Sequence, residues 1–240
     1  MSARSTWIAT LSLSVLACLV APALWGATTP ATATQPAVNK YIGSAKCKNC
    51  HNSEATGDQH GSWSAAKHAQ AFEVLGSDAA KAVAAERGIA DPQKDDSCVK
   101  CHVTGFGEPA EVFPKKWSPE AGVQCETCHG PGGDHMKARF KAAASGETPE
   151  GYQVLPEGEV ITSPGVDVCT QCHTPESPSY KPFCFFEARA KVAHLNPLKP
   201  RTAEEVAAFG VCPCGAPCPH GEGCPEGLCN LTPAKLLELK

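Results

Sequence analysis

Four five-residue runs of the form C-x-x-C-H constrain this chain more than anything else in it: residues 47–51, 98–102, 125–129 and 169–173. At this spacing two thiols can capture the vinyl groups of one haem while the next imidazole meets its iron. One copy is compatible with a small zinc or redox site, whereas four copies point to four covalently bound haems c. The attachment residues are then Cys47, Cys50, Cys98, Cys101, Cys125, Cys128, Cys169 and Cys172, and the proximal iron ligands are His51, His102, His129 and His173.

Composition agrees with such a scaffold. Gly and Pro number 21 each in 240 residues, and the 42% hydrophobic fraction is rich in Cys and Ala, which argues against a large aliphatic core. Four broad apolar porphyrins would supply the missing buried surface. The expected fold is therefore mainly α with long irregular loops, a compact multihaem c-type cytochrome fold built around four haems.

Residues 1–26 read as a signal peptide, with Arg4 as its positive start and an apolar run from Trp7 to Val20 that is shorter than a membrane span. A retained anchor and a lipidated Cys18 are the alternatives. Residues 27–40 read as a flexible linker, 41–199 as a tetrahaem cytochrome domain and 200–240 as a Cys-rich C-terminal tail. The protein is expected to be periplasmic or otherwise exported, with no membrane span after signal cleavage. Loss of Arg4 would take the formal charge from −4 to −5, which argues against nucleic acid as a partner.

Along the chain, residues 62–75 read as a helix with His68, Phe72 and Leu75 on one stripe. Residues 79–87 read as a second helix closed by Gly88, and Asp95-Asp96-Ser97 as a helix start before Cys98. Asp134 is placed to cap a short helix carrying His135 and Phe140. The Gly/Pro-punctuated stretch 142–164 reads as a long loop without nameable chemistry. Residues 182–195 have helical character with His194 on the apolar stripe, and Thr202 with Glu205 forms a capping box.

Of nine histidines, five lie outside the motifs: His60, His68, His135, His194 and His220. Met1 would leave with the signal and Met136 adjoins His135, so His/His ligation should dominate. Methionine ligation raises haem potential, so its absence points to low-potential haems.

From Tyr41 to about Leu195 the chain resembles the tetrahaem cytochrome c-554 family of nitrifying bacteria. The likeness rests on Gly43-Ser44-Ala45-Lys46-Cys47, on Ser62-Trp63 followed by His68, on the stretch from Cys98 to Gly107, and on Gly122 through Gly130 with Gly133-Asp134-His135. The resemblance implies electron transfer and a second haem, here that of His102, with an open face. It also implies that His135 is the distal ligand of the first haem and His68 that of the third, with His194 the candidate for the fourth. His60 departs from the family pattern; it could close the His102 site or be a surface residue in the turn around Gly57-Asp58-Gln59.

Six cysteines remain once the motifs and Cys18 are set aside: Cys184, Cys212, Cys214, Cys218, Cys224 and Cys229. They are expected to form disulfides, or a thiolate metal site with His220. The function expected overall is electron transfer between redox partner proteins rather than catalysis. Two alternatives stand beside it: an enzyme reducing a small nitrogen oxide such as NO at an open haem, and a haem-bearing docking subunit of a larger redox complex.

Overall fold

The structure, a computed structural model, describes residues 38–146, 151–181 and 183–211. Among these residues the regular elements are helices and no strand occurs. The helices are α1 (Ser44–Cys47), α2 (Gln59–Ser64), α3 (Ala71–Val74), α4 (Asp78–Glu86), α5 (Asp96–His102), α6 (Cys125–His129), α7 (Gly133–Ala144), α8 (Val166–Cys169), α9 (Phe185–Val192) and α10 (Ala203–Ala208). Most are one or two turns long, far below the length at which a helix holds itself in water. Something other than helix propensity must fix them.

Packing between apolar side chains supplies part of it. The principal cluster is Val166, Cys184, Phe185 and Phe186, with Cys169 against it, worth about 2 kcal/mol for each phenyl ring buried. Cys184 is a free thiol inside this cluster, which corrects the expectation that it joins a disulfide. The other five tail cysteines lie outside the described residues.

A buried polar lattice joins the first and third motif segments. The Glu126 carboxylate accepts from the main-chain N–H groups of Ile42 at 2.9 Å, Gly43 at 2.8 Å and Gly132 at 2.7 Å. Gln124 accepts from Ser44 N at 2.9 Å, and its own N–H donates to the Thr104 hydroxyl at 2.7 Å. Thr104, only 2% exposed, shares a further bond of 2.7 Å with the Thr127 hydroxyl. Charge-assisted bonds to several main-chain donors can pin short elements that lack an apolar face.

The helix expected over residues 62–75 is instead broken into α2, a 3-10 turn at Lys67–Gln70, and α3. Long-range bonding explains the break. The His68 carbonyl accepts from Val123 N at 3.0 Å, and Trp63 Nε1 donates to Val123 O at 2.8 Å. Gly122, at φ +74°, permits this approach, since a Cβ there would lie 2.8 Å from the His68 oxygen.

Two more expectations are adjusted. α7 begins at Gly133 with Asp134 inside its first turn, and its end is capped from afar by Asn39, whose side chain accepts from Asp134 N at 2.9 Å. α9 stops at Val192, so His194 lies beyond the helix rather than on its stripe. There the His194 ring donates to the Val192 carbonyl at 3.0 Å, and Ala193 is extended. The capping box of Thr202 and Glu205 is present at the start of α10, and Phe209 beyond it receives the Arg189 guanidinium at 4.9 Å from its ring centre.

Candidate functional site

Each C-x-x-C-H run occupies a helical turn. α5 and α6 contain theirs, while α1 and α8 end at the first cysteine and continue as a turn. The His51 and His173 amides donate back to Cys47 O and Cys169 O, both at 3.0 Å. Positions i, i+3 and i+4 share one helix face, so each turn presents two thiols and an imidazole together.

Three of the four motif histidines face a histidine remote in sequence. The ring centres of His51 and His135 lie 6.2 Å apart, those of His68 and His173 6.2 Å apart, and those of His129 and His194 5.8 Å apart. Two imidazoles binding one metal from opposite sides, with metal–nitrogen distances of about 2 Å, place their ring centres about 6 Å apart. The donor set therefore fits haem iron. Burial pushes the pKa values of His51, His68, His129 and His173 down, favouring the neutral form that a ligand requires.

The pairing corrects the assignment that the resemblance implied. His135 does face the first motif, but His68 faces His173 of the fourth and His194 faces His129 of the third. The cause lies in the anchoring: His68 is tied through its carbonyl to Val123, and the His129 ring donates through Nδ1 to the Ile161 carbonyl, leaving Nε2 free.

His102 donates through Nδ1 to the Ala71 carbonyl, and among the described residues no histidine ring pairs with it. His60 packs on Trp63 at 5.3 Å between ring centres, with its amide bonded to His51 O at 2.8 Å, so it belongs beside the first motif. His220 lies outside the described residues.

The motifs also touch one another. Cys47 and Cys125 share a hydrogen bond that pushes the Cys47 thiol up and the Cys125 thiol down. Burial, with Cys169 nearby, pushes Cys128 up to about 11, and burial, with Cys101 nearby, pushes Cys172 up to about 12. α6 accordingly packs on both α1 and α8. Tyr41, Lys100, Cys101, Phe106, Glu108 and Cys172 help line an open cavity of about 320 Å³ between the second and fourth motifs.

The family model described as "Cytochrome c554 and c-prime" matches residues 46–130. Cytochrome c-554 of Nitrosomonas europaea is 33% identical over 169 residues, a stretch covering 66% of this chain and 68% of that protein. This chain belongs to the cytochrome c-554 family. No solved structure was found to match it. As a member of the c-554 family it is a multihaem c-type cytochrome and an electron carrier, with haem c iron as its redox centre and redox proteins as its partners. Among the described residues no helix is long and apolar enough to cross a membrane.

In this c-554 relative, sequence reasoning missed the residues that hold the paired imidazoles in place. The loop left without chemistry supplies Glu159, which accepts from His135 Nδ1 at 2.7 Å, and the Ile161 carbonyl that accepts from His129. Glu126 was hidden in plain sight as a variable position of the third motif. No local pattern marks any of them, because each acts on a group distant in sequence.

Proposed function

We propose that this protein is a periplasmic tetrahaem cytochrome that passes electrons between redox proteins, with mostly bis-histidine iron ligation. The observation that carries this reading is the set of three imidazole pairs, each joining a motif histidine to one from elsewhere at 5.8 to 6.2 Å. When bound, haem supplies reversible one-electron chemistry, and the protein's part is to ligate, orient and shield it.

The cysteine contacts order the four sites. Cys47 adjoins Cys125, Cys128 adjoins Cys169, and Cys172 adjoins Cys101. The attachment sites thus form a line from the first motif through the third and fourth to the second. His51 and His135 stand at one end, and His102 stands at the other.

The reading is tested by haem stoichiometry and spin state in the mature protein. Mass spectrometry after acid-acetone extraction should find four haems retained, and the ferric EPR spectrum should be dominated by low-spin signals. Three or fewer covalent haems would defeat the four-site assignment. The enzyme alternative draws on one observation, the unpaired His102 ring, and rapid catalytic consumption of NO would favour it over electron transfer.

A further inference from the structure

Glu159 sits in the loop between α7 and α8 with its side chain only 9% exposed. One carboxylate oxygen accepts from His135 Nδ1 at 2.7 Å, and the other accepts from Arg139 at 2.9 Å. His135 and Arg139 are four residues apart on α7, so they share a face that the carboxylate bridges. The loop is anchored independently of this bridge, because Ile161 N donates to His129 O at 3.0 Å and the Ile161 carbonyl receives the His129 ring N–H. Glu159 is therefore delivered to His135 by a fixed strap.

Three other imidazoles are served differently. His102 donates to Ala71 O, His129 to Ile161 O and His194 to Val192 O, all uncharged carbonyl oxygens. A carboxylate on the outer nitrogen of an iron-ligating histidine fixes its tautomer and makes it a stronger electron donor. It also places negative charge close to the iron, which stabilises the oxidised state over the reduced one.

We propose that Glu159 is a positioning residue that orients His135 with Nε2 towards the His51 ring and holds the midpoint potential of the His51/His135 site below the value a neutral acceptor would give. This rests on the reading that His51 and His135 ligate one iron. Arg139 supports it by fixing the rotamer of the carboxylate, and its own charge is directed at the far oxygen. The first site is thereby set apart electrically from the sites of His129/His194 and His102, whose imidazoles donate to carbonyl oxygens.

The test compares haem-loaded wild-type protein with Glu159→Gln, Glu159→Asp and His135→Ala, by redox titration and low-temperature EPR. Glu159→Gln should keep the wild-type low-spin content while one midpoint rises and the others stay in place. Glu159→Asp should return that midpoint towards wild type. His135→Ala should turn one haem high-spin. Unchanged midpoints in Glu159→Gln, a rise spread over all sites, a rise that Glu159→Asp fails to reverse, or loss of low-spin signal in Glu159→Gln would each overturn the proposal. If His135→Ala leaves every haem low-spin, the ligation reading itself fails and the proposal falls with it, a result distinct from a silent Glu159→Gln.

Discussion

At the scale of single residues, the proposed bis-histidine ligation makes a claim sharper than ligation alone, because the three imidazole pairs predict which haem each distal histidine would serve. Replacing His68 by Ala should free the site of His173, and replacing His194 by Ala should free that of His129. In each case one haem should turn high-spin with all thioether bonds intact, because attachment depends on the cysteines and not on the distal ring. EPR compared across these two variants and a His173→Ala variant checks the pairing: the signal lost in His68→Ala should match that perturbed in His173→Ala. A match between His194→Ala and His173→Ala would restore the order that the family resemblance implied. The helical turns that present each motif's two thiols and imidazole on one face were legible in the sequence, since they follow from the C-x-x-C-H spacing. The pairing was not, because chain order says nothing about which imidazole a folded loop turns towards which motif.

At the scale of elements, what determines the backbone is bonding across distance. The break between α2 and α3 exists because the His68 carbonyl is needed by Val123, an arrangement that no periodicity in residues 62–75 reveals. The same holds for α7, whose N-terminal donors are met by Asn39 and Lys40 from a segment expected to be a linker. Elements with local signatures, such as α4 and the capping box of α10, were readable, whereas Glu159 and Ile161 act only through tertiary placement. Gly122 tests this account. It combines φ +74° with a prospective Cβ contact of 2.8 Å to His68 O, so Gly122→Ala meets both backbone strain and a clash. A loss of roughly 1–3 kcal/mol is expected from the strained conformation, together with weakening of the His68 ligand. Thermal unfolding and the low-spin EPR content report the two effects. A variant with wild-type Tm and spectrum would show that the strap across residues 122–123 does not position His68.

At the scale of the whole molecule, the proposed line of sites has unlike ends. One end is closed by His51 with His135, backed by Glu159 and Arg139; at the other, His102 is oriented by Ala71 O with no histidine ring across from it among the described residues. His60, the nearest candidate in the sequence for closing that site, is held against Trp63 beside the first motif instead. An electron carrier with one open terminal site should differ measurably from one closed throughout. Ferrous haem with a vacant axial position binds CO directly, whereas bis-histidine haem must first release a ligand, so the reduced protein should take up about one CO per four haems. The ferric protein should show a matching high-spin minority. Truncation after Val211 should leave both results unchanged, since this removes His220 while keeping α10 and the Arg189–Phe209 contact. If CO uptake is absent in the full chain but appears on truncation, His220 is the sixth ligand of the His102 site, and the line is closed at both ends.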